Sequence, residues 1–185
     1  MLRRKIKIST LAASVFSGVF SGFLFLGPWP AISAESELKG ECRVTLRPLL
    51  LQQNPDAAQL RSVRELCQRE ADAGDPEAVY QLSFFFLGLN SWDPGKATSL
   101  ILTAAERDIP EAQYWLAWQY DSGPLLPNDP ALALQWYQAS AENDHRLALE
   151  RLADAYAEGD FGLRVDKKMA SQFRARAERC AEESG

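Results

Sequence analysis

The chain has 185 residues, 46% hydrophobic and 24% charged, with three cysteines, one histidine and a formal net charge of −5. This composition excludes an intrinsically disordered chain, a collagen-like repeat and a cysteine-dense disulfide scaffold. The lone His145 also removes paired-histidine catalysis and nearly all zinc chemistry.

In chain order, the first feature is a basic start, Arg3, Arg4, Lys5 and Lys7, followed by an apolar run from Ile8 to Leu26. Pro28-Trp29-Pro30 ends the run, and small residues occupy Ala31 to Ala34. Basic, apolar and small-residue regions in that order describe a secretory signal peptide over residues 1–34. Left uncleaved, the same run would serve as an inner-membrane anchor, although Gly18, Ser21 and Gly22 interrupt it. Cleavage removes four positive charges, taking the balance from −5 to −9. A surface so acidic repels phosphate backbones, so nucleic acid is excluded as a partner. Membrane contact is expected only through the N-terminal segment. The expected compartment is the periplasm, which permits disulfides.

Residues 35–55 read as irregular, with helix breaks at Pro48 and Pro55. Residues 56–74 read as a single helix of a degenerate repeat, with Leu60, Val63 and Cys67 on one face.

From Asp75 onward the chain repeats. Ala78, Leu82 and Phe86 form a helical stripe that returns as Ala112, Leu116, Tyr120 and again as Ala148, Leu152, Tyr156. Behind each stripe, Asp93, Asp129 and Asp166 recur in register, followed by Ala97, Ala133, Ala170 and by Ala104, Ser140, Ala177. Asp75-Pro76, Asp93-Pro94 and Asp129-Pro130 place a capping carboxylate before a proline at the first helical position. Gly88, Gly123 and Gly159 fall where a left-handed residue ends each first helix. The expected units are residues 75–108, 109–144 and 145–182, the last ending in a helix with a charged outer side that caps the array.

These residues resemble the Sel-one-like repeat, a tetratricopeptide-like family, over about residues 71–180. Ala148, Leu152, Tyr156, Gly159, Asp166, Ala170 and Phe173 carry the fullest match. The resemblance implies an all-α, right-handed α-solenoid of stacked antiparallel helix pairs whose first helices line a concave face. Carrying that register over puts Glu77, Tyr80, Phe84 and Leu87 on the face, then Glu111, Tyr114, Trp118 and Asp121, then Leu147, Glu150, Asp154 and Glu158. The groove would run from aromatic to acidic and suit a protein or peptide with apolar anchors and Lys or Arg. For exported relatives the resemblance implies adaptor roles in envelope assemblies. The alternative is a permanent structural subunit of a flagellar motor or secretion apparatus.

Cys42, Cys67 and Cys180 lack CxxC spacing, which excludes a thioredoxin-type redox motif. A Cys42–Cys67 disulfide is expected, with pairing of Cys42 or Cys180 between chains as the alternative. His145 is expected to cap a helix or face solvent. No nucleophile elbow or phosphate loop is present, so neither catalytic residue, metal nor cofactor is assigned, and a hydrolase is the weakest reading.

Overall fold

The computed structural model describes residues 40–183; the expected signal peptide lies outside the described residues. Eight α-helices follow in order: α1 (Glu41–Leu50), α2 (Ala57–Asp72), α3 (Pro76–Ser83), α4 (Pro94–Ala105), α5 (Pro110–Asp121), α6 (Pro130–Glu142), α7 (Arg146–Glu158) and α8 (Lys167–Glu183). A 3-10 turn, Phe84–Phe86, extends α3. Each helix packs on the next, and α1 also touches α3, so the helices form four stacked hairpins.

Local chemistry sets the boundaries. Asp56, Asp75, Asp93 and Asp129 accept hydrogen bonds from backbone N–H groups of the first turn that follows each, and Asp166 does the same for Lys168 and Met169. These groups would otherwise lack partners. Gly159 ends α7 in the left-handed region at φ 85°, as its position predicts. Gly123 departs from the expectation, because its φ is not left-handed. It is required instead by close approach, since a Cβ there would collide with the Gln119 side chain. The Gln119 Oε1 atom accepts from Leu125 N at 2.9 Å and shapes that turn.

The interior is three successive clusters, each straddling adjacent hairpins. The first joins Cys42, Leu46, Leu60 and Cys67 to Leu82 and Phe85. The second joins Val79 and Tyr80 to Ile101, Ala112 and Leu116. The third joins Ala117, Ala133 and Tyr137 to Leu149, Leu152 and Ala177. All are built from residues between 42 and 177, so this span carries its own hydrophobic interior. None of its helices is long and apolar enough to cross a membrane.

The largest correction concerns residues 35–55. Residues 41–50 form a helix, not irregular chain, and α1 pairs with α2 as the first half of a fourth hairpin. Pro48 lies inside α1, where its ring costs one backbone bond near the C-terminal end. Three long-range contributions offset that loss. Cys42 and Cys67 are disulfide-bonded with Cα atoms 4.8 Å apart, and Leu46 and Leu49 are buried beneath the helix. The buried Glu70 carboxylate also accepts from Gly40 N (3.2 Å) and Cys42 N (2.9 Å), capping α1 from α2. Its negative charge faces the positive end of the α1 dipole.

The bridge occupies a repeat position. Ala78 and Ala104, Ala112 and Ser140, and Ala148 and Ala177 are buried pairs of small residues on paired helices. Cys42 stands 36 residues before Ala78, and Cys67 stands 37 before Ala104. The disulfide therefore stands where the later hairpins carry buried small residues.

Candidate functional site

The expected site residues lie on α3 and the 3-10 turn after it, on α5 and on α7, and they stand in different states. Tyr80 is 9% exposed and meets the Phe84 ring edge-on at 5.1 Å. Burial pushes its hydroxyl pKa well up, and the charges of Glu111 and Glu77 add to that. Tyr80 is thus chiefly a packing residue, while Phe84 is half-buried beside it. Trp118 is 40% exposed and the most accessible of the first-helix aromatics.

Tyr114 is half-buried and stacks on His145, with ring centroids 4.7 Å apart. Burial raises its hydroxyl pKa, with Glu150 and Asp121 contributing. His145 occupies the N-cap position of α7, but it makes no side-chain cap bond and is only partly accessible. The stacking turns its ring inward, leaving Nδ1 buried without a hydrogen-bond partner. Burial lowers its pKa, partly opposed by Glu111.

The acidic residues divide into two groups. Asp121 accepts from Arg151 Nε at 3.0 Å and from Tyr137 Oη at 3.2 Å. Arg151 also reaches Asp160 at 2.9 Å, and these bonds outweigh burial to raise its pKa. Its guanidinium lies 4.4 Å from the Phe161 ring centroid. The expected partner contact at Asp121 is therefore already taken by a tie between the third and fourth hairpins. Glu150 pairs with Arg146 at 2.9 Å and Asp154 with Arg174 at 3.0 Å, both at the surface. Glu158 is exposed at the end of α7.

Glu77 and Glu111 form the other group; no salt bridge reaches either among the described residues. Burial raises the Glu77 pKa; a 2.7 Å bond from Gln81 opposes this, and repulsion from Glu111 adds to it. The expected aromatic-to-acidic gradient is thereby altered. Glu150 and Asp154 are paired with arginines while Glu158 stays exposed, and Glu77 and Glu111 lie beside Tyr80 with Arg43 opposing the charge of Glu77. The i,i+4 spacing of Arg146 and Glu150 was a readable sign of one such pair. The Arg151–Asp121 contact spans 30 residues and has no local signal.

No group of three or more His, Cys, Asp or Glu side chains is placed to hold a metal among the described residues.

Stacked helical hairpins with a side-chain-rich first-helix surface define a helical-repeat scaffold. Residues 110–145 and 146–171 match the family model of the Sel1 repeat. The fold is similar to a Sel1 repeat protein from Oxalobacter formigenes, with 27% identity and a TM-score of 0.57, over 63% of this chain and 92% of that one. It is also similar to a protective antigen present in uropathogenic Escherichia coli strains that displays an SLR fold, at 26% identity and a TM-score of 0.63. That match covers 82% of this chain but 32% of the antigen, so the chain spans about a third of its length. No curated protein sequence matches. Residues 110–171 thus carry two Sel1 repeats in a fold similar to that of Sel1 repeat proteins, and Sel1 repeats are in general non-catalytic scaffolds for protein–protein interaction. Its disulfide fits an oxidising compartment.

Proposed function

We propose that the protein is an exported adaptor that holds a protein or peptide segment along its first-helix groove during an envelope-associated assembly. The observation that carries this reading is the exposed Trp118 on the same row of helices as Glu77 and Glu111, which no salt bridge reaches among the described residues. An apolar side chain fits against Trp118 and Phe84, and a Lys or Arg against Glu77 and Glu111. Docking a cation there relieves the repulsion between the two carboxylates, so recognition gains more than an exposed surface pair would give. Export follows from the basic-apolar-small order of residues 1–34 together with the disulfide. Asp121 contributes by positioning α7 rather than by touching the partner.

The test is capture from envelope extracts, then binding of the recovered segment to variants. Trp118→Ala and Glu77→Gln/Glu111→Gln should each weaken binding about tenfold with helicity unchanged. Salt should weaken the wild type more than the double glutamine variant. Equal affinity for all three proteins would refute the groove reading.

A further inference from the structure

His145 stands at the joint between the third and fourth hairpins, and its ring is held in a way that suits the neutral form. The imidazole stacks on Tyr114 of α5 with centroids 4.7 Å apart. Its backbone is fixed on both sides. The His145 N–H donates to the Ser140 carbonyl of α6 at 3.1 Å, and the His145 carbonyl accepts from Leu149 N of α7 at 3.1 Å. Nδ1 is buried and has no hydrogen-bond partner among the described residues. A neutral ring with its proton on Nε2 leaves one unpaired acceptor there. Protonation puts an N–H and a positive charge there instead, with no acceptor, at a much higher cost.

The groups around the ring act in opposite directions. His145 is the N-cap residue of α7, so the positive end of that helix dipole disfavours a cation. Arg146 follows it and also opposes protonation, while itself bonded to Glu150. Asp144, on the other side in sequence, is taken by Arg176 of α8. From α5, Glu111 is the carboxylate that favours the charged ring. Pro110, Glu111, Asp144, His145, Arg146 and Cys180 line an open cavity of about 610 Å3 beside the joint. The ring thus has room to leave Tyr114, and a counter-charge borders that room.

We propose that His145 is an acid-operated switch: taking up a proton releases its ring from Tyr114 into the cavity, where it pairs with Glu111. Burial first, and Arg146 after it, hold the imidazole below its ordinary value of 6.5, so the stacked form prevails at neutral pH. The folded chain therefore binds this proton more weakly than the unfolded chain does. The stacked joint is fully stable above 6.5 and loses stability as pH falls through the lowered value. Release of the ring does not part the hairpins. Ser140 Oγ still donates to the Pro110 carbonyl at 2.8 Å, and Asn143 Nδ2 to Gln113 Oε1 at 3.1 Å. What changes is the charge on offer, since Glu111 is then shared with His145. A Lys or Arg held between Glu77 and Glu111 loses one of its two acceptors, so acid favours its release. The ring movement needs no partner; only this last consequence rests on the groove reading.

The chain has a single histidine, so one imidazole signal in the nuclear magnetic resonance spectrum of the full chain reports the switch. At neutral pH the ring should carry its proton on Nε2 and show nuclear Overhauser contacts to Tyr114. Below the titration midpoint those contacts should be lost, while the backbone signals of α6 and α8 keep their positions. Glu111→Gln should lower the midpoint, because the carboxylate that favours the cation is gone. His145→Phe should keep the stack at every pH and abolish the pH dependence of the Tyr114 ring signals. Contacts to Tyr114 that persist in the protonated form, or a midpoint that Glu111→Gln leaves unmoved, would overturn the proposal. No partner enters the measurement, so a failed switch and a failed groove are told apart.

Discussion

Cys42→Ala/Cys67→Ala tests what holds α1 in place. Alanine already occupies the equivalent register positions at Ala78 and Ala104, both buried, so the double variant places side chains there that the fold accepts elsewhere and removes the cross-link. The bridged residues are 25 apart in sequence, and closing a loop of that size is worth about 3.5 kcal/mol in the chain-entropy model. At about 1.4 kcal/mol per decade, opening of the first hairpin should become several hundred times more frequent. The effect should stay local, since each hairpin of a linear array contacts only its neighbours. Amide hydrogen exchange reads this directly. The α1 amides should lose about two to three decades of protection, while those of α5 to α8 keep theirs. Reductant should reproduce the pattern in the wild type. Uniform loss across all eight helices, or unchanged protection in α1, would refute the reasoning.

Three further outcomes are expected. Glu70→Ala leaves the Gly40 and Cys42 N–H groups without acceptors and should cost about 1–3 kcal/mol in urea unfolding, with Glu70→Gln costing less. A double-mutant cycle between Arg151 and Asp121, whose side chains are 26% and 21% exposed, should show a coupling of about 0.5–1 kcal/mol; zero coupling would mean the tie between the third and fourth hairpins is only geometric. Glu77 has a raised pKa in the folded chain, so the folded state binds that proton more tightly than the unfolded state does. Stability contributed by this proton is therefore present at low pH and lost as pH rises from about 4.5 through the raised value. Glu77→Gln should melt higher than wild type at neutral pH, and the difference should vanish in acid.

The helical hairpins from Asp75 onward were legible because their signals are local: a carboxylate before proline, a four-residue stripe, a glycine after it. The structure adds the reason α1 was not. Its cap comes from Glu70, 28 residues beyond Cys42, and Pro48 argues against a helix at close range. One sign was present, since stepping the small-residue register back by one repeat lands on Cys42 and Cys67. At the candidate site, repeat register assigned side chains to the first helix of each hairpin but said nothing of which carboxylates were already bound. Arg151, Arg146 and Arg174 decide that, and two of the three act across helices.

The equivalence of the bridge with the alanine pairs has a practical side. Ala112 with Ser140, and Ala148 with Ala177, stand at the register positions equivalent to the bridged cysteines, and all four are buried small residues. Each is a natural place to install a reversible lock, one hairpin at a time. A set of such chains, fastened at different rungs and released by reductant, would reveal whether a captured partner needs the groove to flex or only needs it to be there.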